Sequence, residues 1–169
     1  HVVHHASEHM NFTTAMRQSA LYPLSFVWGF FLPLAWLGVE RDWIFFALAL
    51  NLAYQFFLHT QWINKLPGIV EFFLNTPSHH RVHHGRNDIY IDRNFGGTLI
   101  IWDRIFGTFT EEKTTENPDY GITRQIYSYN PIQLTLHEWT DMFRDMSQPG
   151  PLLLRLKHVW ANPEWQRGK

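Results

Sequence analysis

The sequence predicts an all-α protein of the integral membrane kind: a transmembrane hairpin carrying a cytosolic, His-rich helical cap. Three observations predict it. Leu21–Val39 and Trp43–Leu58 are two runs without a single charge, joined by the short polar stretch Glu40-Arg41-Asp42. The pattern HxxHH occurs twice, as His1, His4, His5 and as His80, His83, His84, once on each side of those runs. Aromatic residues (14 Phe, 8 Trp, 6 Tyr) and 11 histidines are in excess, and aromatics favour the membrane interface.

The apolar runs come first in the argument. At about 1.5 Å per residue, helices of these lengths reach roughly 24 to 30 Å, against a hydrocarbon core of about 30 Å. The first run is long enough to span, and the second spans if Thr60–Ile63 extend it. Neither shows a polar face in the sequence. Pro23 and Pro33 would kink or end a soluble helix and are better tolerated in a membrane one. Two buried helices of a soluble core are the competing reading. A hairpin over 21–63 returns the chain to its starting side, so both histidine motifs lie on one face. Arg17, Lys65, Arg81, Arg86 and Arg93 flank the hairpin, while Arg41 in the turn is offset by Glu40 and Asp42. The positive-inside rule therefore places the histidines in the cytosol, at a bacterial inner membrane or the endoplasmic reticulum.

The remaining elements follow in order. Leu66–Leu74 reads as a short helix after Pro67. Thr76 is a cap and Pro77 a first helical residue, starting a helix over Pro77–His84 that Gly85 stops. Leu99–Phe106 is amphipathic, with Asp103 and Arg104 on its polar side, and suits the bilayer surface. Glu111–Tyr120 is a polar loop, Pro131–Met146 a last helix, and the tail after Pro149 is basic. The 169 residues make one domain, in which 21–63 is the hairpin and 75–110 carries the second histidine motif and the amphipathic segment.

Composition narrows the chemistry. A net charge of −1 advertises no nucleic acid partner. With 45% hydrophobic and 17% charged residues, the chain is not intrinsically disordered. The absence of cysteine excludes disulfides, zinc–thiolate sites, iron–sulfur clusters and cysteine nucleophiles. Histidine is the commonest metal ligand, and residues three or four apart share a helix face. Each HxxHH thus aims its imidazoles one way, and two facing triplets suggest a two-metal site of nitrogen ligands. His59, at the end of the second run, is placed to close the cage; His79 is an extra ligand or a support for one. His9, His137 and His158 read as structural. Imidazole suits zinc, copper, iron and nickel, so spacing alone leaves the metal open.

His1–Ser19, Asn75–Asn87 (NTPSHHRVHHGRN) and Asn94–Phe109 (NFGGTLIIWDRIFGTF), with the intervening hairpin and Tyr120–Thr123 (YGIT), resemble the fatty acid hydroxylase / sterol desaturase superfamily. Within it the similarity is to the alkylglycerol monooxygenase branch and its bacterial sterol-desaturase-like relatives. The resemblance implies a membrane-bound di-iron monooxygenase that uses O2 and two electrons on a lipid C–H bond. It makes His1, His4, His5, His59, His80, His83 and His84 the ligands of two iron ions. It also implies a lipid substrate drawn from the bilayer and an electron donor, which in this branch is tetrahydrobiopterin; no residue here identifies a pterin pocket. The superfamily's first histidine motif, upstream of the middle one, is missing, so the chain is expected to be a fragment.

Asn94, Trp102, Asp103 and Arg104 are candidates for supporting the ligands or docking on the bilayer, with plain packing the favoured role for Trp102 and Phe106. The same ligands serve hydroxylation and desaturation, so a sterol or fatty-acyl desaturase is the alternative within the enzyme class. A non-catalytic membrane metal-binding protein is the alternative outside it. A transporter fits less well, because the apolar runs hold no internal charge.

Overall fold

In the computed structural model, residues 1–161 and 165 are described. They are helical, and pairing between extended segments is limited to the isolated bridges Leu74↔Leu99, Gly85↔Tyr120 and Lys113↔Glu116. Parts of the basic tail, 162–164 and 166–169, lie outside the described residues.

The chain opens with α1 (Val2–His5) and α2 (Phe12–Ala15), the latter capped by the Asn11 side chain accepting from Thr13 and Thr14 N–H. The first apolar run departs from expectation. In place of one spanning helix it forms two 3-10 turns, over Tyr22–Ser25 and Val27–Phe31, followed by the short α3 (Leu32–Trp36). Phe26, between the turns, sits in the left-handed region at φ 56°. Pro23 and Pro33 each start a new element here, since proline lacks the N–H a continuing helix needs.

The second run is a single helix, α4 (Arg41–Leu58). At 18 residues it is about 27 Å long. It carries a polar stripe that the sequence reading did not credit. Asn51, Tyr54 and Gln55 share one face, and the Tyr54 hydroxyl donates to the Asn75 carbonyl (2.6 Å) while Asn51 Oδ1 accepts from Thr98 (2.7 Å). The opposite face exposes Phe45, Phe46, Leu50 and Phe57. Among the described residues, no helix is long and apolar enough to cross a membrane.

Beyond it come α5 (Gly68–Phe73), α6 (Pro77–His83), α7 (Ile101–Phe106), α8 (Pro131–Ser147) and α9 (Leu152–Leu156). Thr76 caps α6 through its side chain and Pro77 is its first residue, as the sequence suggests. Asn130 caps α8 in the same way. The interior is built around polar groups rather than around a large apolar core. Among the described residues, a cluster of buried apolar side chains, Val3, Ala6, Ile122 and Leu134, clamps α8 and the 122 segment onto α1. Val82, Tyr90 and Ile100 fill the space beside α6.

Candidate metal centre

The helices α1 and α6 carry the two HxxHH motifs, and α4 ends at His59 between them. Helical spacing puts each triplet on one face, and the fold turns the two faces together. His5 and His84 stack at 4.2 Å between ring centroids, and His4 lies 4.7 Å from His84. The ligand-capable nitrogens fall into two groups, each within 4.8 Å throughout: His4, His59, His80 and His84, all buried, and His1, His5 and His83, more open to solvent. Seven histidines singled out in the sequence are therefore brought together, and both groups consist of histidine alone.

Hydrogen bonding shows which nitrogens are available. His59 Nδ1 faces the Gln55 carbonyl at 2.8 Å, His4 Nδ1 the Arg17 carbonyl at 3.3 Å, and His83 Nδ1 the Arg93 carbonyl at 3.2 Å. A carbonyl only accepts, so in each ring Nδ1 carries the proton and Nε2 presents a lone pair. Yet His59 Nε2 lies 3.0 Å from His4 Nε2 and 3.1 Å from His80 Nε2. Between His4 and His59, whose Nδ1 protons both go to carbonyls, the two Nε2 lone pairs repel at that distance unless a cation lies between them; His80, whose Nδ1 has no partner, can donate from Nε2 instead. Protonation is a poor candidate for that cation: burial, with the neighbouring His59, lowers His4 to about 4. Burial likewise holds His5, His80 and His84 well below the ordinary imidazole value. Burial lowers His83 too, partly offset by the Arg93 carbonyl and the charge of Asp103. His80 Nδ1 and His84 Nε2 are buried with no hydrogen-bond partner. A metal ion fits this donor set: two right-angled bonds of about 2.1 Å put nitrogens about 3.0 Å apart.

The surroundings fix these rings in place. Arg81, on α6 between the ligand candidates, forms a two-pronged pair with Glu112 (2.7 and 2.6 Å) and donates to the Thr60 and Ile63 carbonyls (3.1 and 2.7 Å). It thereby ties α6 to the chain just after His59. Burial pushes the Glu112 carboxyl up, but the hydrogen bonds from Arg81 and Ser78 outweigh it and hold the group below the usual carboxylate range. His79 is not part of either group; its Nε2 pairs with Glu71 at 2.8 Å, locking α6 to α5. Asn94 bridges the His79 and Thr110 carbonyls (3.1 and 2.8 Å), and Asp103 accepts from the Phe95 and Gly96 N–H groups, both at 2.7 Å. A Cβ on Gly96 would come within 2.5 Å of the Leu99 carbonyl, so this loop closes only with glycine there.

Asn94 and Asp103 thus shape the loop against α6 rather than touching ligand rings. Arg104 donates to the Glu71 and Phe72 carbonyls and lies over the Phe109 ring at 3.7 Å. Trp102 and Phe106 are not packed away as expected: they stack on each other at 6.5 Å and remain 54% and 75% exposed. His9 is exposed, and His137 and His158 lie outside both groups. The sequence reading missed Arg81, Glu112, Glu71 and Asn75. Only Asn75 and Arg81 sat inside a recognisable motif, while Glu112 lies in a loop whose polarity reads as solvation.

The sequence model described as Fatty acid hydroxylase matches residues 1–108. The chain belongs to the fatty acid hydroxylase family. Alkylglycerol monooxygenase of Xenopus tropicalis is 43% identical over 169 residues, covering 100% of this chain and 37% of that protein. The Homo sapiens alkylglycerol monooxygenase is 44% identical over 173 residues, with the same coverage of each. Ornithine lipid hydroxylase of Rhizobium tropici is 31% identical over 64 residues, 38% of this chain and 19% of its own length. This fatty acid hydroxylase family chain spans little more than a third of its alkylglycerol monooxygenase relatives. No solved structure matches it. The family match ends at Thr108, so α8 lies beyond it and yet helps hold α1 in place.

Proposed function

We propose that the protein is a membrane-bound, di-iron monooxygenase that hydroxylates a lipid C–H bond, with an ether lipid as substrate. The observation that carries this reading is the pair of all-histidine groups whose lone pairs converge. His4, His59, His80 and His84 would hold one ion, and His1, His5 and His83 the other. Bound iron supplies redox chemistry: with O2 and two electrons from a reduced donor, one oxygen atom enters the C–H bond and the other leaves as water. The protein's part is to keep the imidazoles neutral by burial and to hold their orientation through the backbone carbonyls of Arg17, Gln55 and Arg93. Relatives named as monooxygenases and as a lipid hydroxylase favour oxygen insertion over desaturation.

Membrane residence is supported by the surface. From Tyr22 to Phe73 large apolar side chains are exposed in nearly every turn, far more than a soluble monomer leaves uncovered. On α4 the polar stripe faces the protein and the apolar side faces out, which suits a helix surrounded by lipid. We place 21–63 in the bilayer and the histidine centre at its cytosolic edge.

The test is metal analysis of the full-length protein in detergent, beside a His80→Ala/His83→Ala variant, followed by O2 uptake with ether lipids. One iron per histidine group, lost in the variant, with lipid-dependent O2 uptake is the expected result. No bound metal in either protein after iron reconstitution overturns the reading, as does an iron-loaded protein that oxidises no lipid.

A further inference from the structure

Two segments beyond the family match turn apolar side chains outward. On α8, Ile132, Leu136, Trp139 and Phe143 fall on one side of the helix, and all four are exposed. The carboxylates of the same helix lie on its other side: Glu138, Asp141 and Asp145 are 28%, 19% and 25% exposed. Asp141 and Asp145 are paired with Arg144 and Arg124, at 2.7 and 2.8 Å. Next in the chain, α9 and the turn Lys157–Val159 expose Leu152, Leu153, Leu154, Leu156, Val159 and the following Trp160. Arg155 fastens α9 back on α8, its Nε donating to the Met146 carbonyl at 2.7 Å. Lys157 Nζ lies 4.5 Å from the centre of the Trp165 ring. A carbonyl and a ring carry no net charge, so these contacts leave both cations charged. Residues 146–161 contain no Asp or Glu.

We propose that α8 and α9 together dock on the anionic lipid of the cytosolic leaflet, a membrane contact separate from the 21–63 segment. The inference rests on the membrane reading of that segment and not on the chemistry of the histidine centre. A run of exposed leucines marks a contact surface rather than a water-facing one. Charge decides what covers it. Cations beside exposed apolar side chains, with no acid among them, match a surface whose interior is apolar and whose head groups are negative. The inward carboxylates of α8 remove the repulsion that would oppose such a contact. Trp139 and Trp160 suit the head-group level, where an indole keeps its polar N–H wet. A second copy of the chain fits less well: a two-fold contact through this surface would set Arg155 and Lys157 against their own counterparts. Docking also reaches the histidines. Leu134, on the inner side of α8, packs with Val3 and Ala6, so lipid on the outer side braces the helix that carries His4 and His5.

The experiment reconstitutes the full-length protein in nanodiscs of phosphatidylcholine alone, or of an equal mixture with phosphatidylserine, at low salt. Amide hydrogen exchange of 152–160 is read by mass spectrometry. Exchange there should slow about twentyfold in the anionic discs, since each of two cations is worth about fivefold at such a surface. High salt should abolish the difference. Lys157→Gln should forfeit about fivefold of it. Leu153→Gln, at an exposed position that takes no part in the Met146 contact, should forfeit most of it while exchange in α6 is unchanged. An anionic gain that both variants retain overturns the proposal. So does slow exchange that is the same in both discs and in detergent, which would assign the cover to another segment of the longer protein. A dimer that Leu153→Gln breaks would assign it to a second copy, with the same consequence. Protein that stays in solution without detergent and enters neither disc defeats the membrane reading, and this inference with it. Protein embedded in both discs, with 152–160 indifferent to lipid charge, defeats the docking alone.

Discussion

His4 and His59, 55 positions apart in the chain, meet Nε2 to Nε2 at 3.0 Å, each with its other ring nitrogen facing a backbone carbonyl. This pairing makes His59 the link between α1 and α6, because it also faces His80 at 3.1 Å. Replacing it removes the nitrogen shared by two neighbours in the four-histidine group. His59→Ala in the full-length protein is therefore expected to lose the ion of that group while the His1, His5 and His83 group keeps its own. Metal content per chain should fall by half, measured by elemental analysis after gel filtration. Retention of the full complement would show that His59 is not a ligand.

The lowered histidines give a pH dependence with a definite sign. His4 titrates near 4 in the folded protein and near 6.5 when unfolded. Between those values the unfolded chain binds more protons than the folded one, so stability rises with pH across that interval. This contribution is fully present above about 6.5 and is lost as the pH falls toward 4. His5, His80, His83 and His84 shift in the same direction and add to it. Metal-free protein should thus show a falling denaturation midpoint from pH 7 to pH 4.5. A midpoint that stays flat or climbs over that range would contradict the burial seen here.

Arg81 and Glu112 form a largely enclosed ion pair near the centre, with side chains 7% and 18% exposed. Arg81→Ala leaves Glu112 with only the Ser78 hydroxyl and no cationic partner, and frees the Thr60 and Ile63 carbonyls. Removing one member of a buried pair costs about 3–5 kcal/mol, and the partial exposure of Glu112 places this case near the lower figure. Chemical denaturation of the detergent-solubilised protein measures it. Arg81→Lys should recover only part of the loss, because an ammonium cannot reproduce the two-pronged contact.

How far the sequence foretold these features depends on the range of the forces involved. The two HxxHH helices, the Thr76-Pro77 start and the Asn130-capped α8 are local, written in caps and spacing a few residues long. The convergence of α1 and α6 followed from the doubled motif around an apolar excursion. The first run failed as a helix because its apolarity hid what Pro23, Pro33 and the left-handed Phe26 do to the backbone. The polar stripe of α4 was hidden for a similar reason: Asn51, Tyr54 and Gln55 are few among apolar neighbours, and their meaning depends on Asn75 and Thr98 far along the chain. Arg81 with Glu112, and His79 with Glu71, are likewise long-range matches that no local spacing encodes.

Gly121 offers a backbone test of how the region beyond the family match supports α1. It has φ +136°, and a Cβ there would lie 2.5 Å from Gln125 Oε1. Gln125 in turn accepts from Ile122 N–H (2.9 Å) and donates to the Ala6 carbonyl (3.1 Å), just after the first histidine motif. Gly121→Ala should cost about 1–3 kcal/mol through strain and displacement of Gln125. It should also speed metal loss to a chelator, since α1 carries three of the histidines. Unchanged chelation kinetics would mean that α1 is held by other contacts.

The amphipathic helix α7 bears on how the protein meets the bilayer. Trp102, Ile105 and Phe106 stand 54%, 62% and 75% exposed, while Asp103 on the same helix is buried in the loop it closes. A helix whose polar residue points inward and whose aromatic residues point outward is suited to rest at the head-group boundary. This chain contains no cysteine, so one introduced thiol takes a fluorophore at a single place within it. An environment-sensitive label on Phe106→Cys should emit further to the blue in vesicles than the same label on Thr115→Cys in the polar loop. Equal emission from the two positions in vesicles would show that α7 faces water.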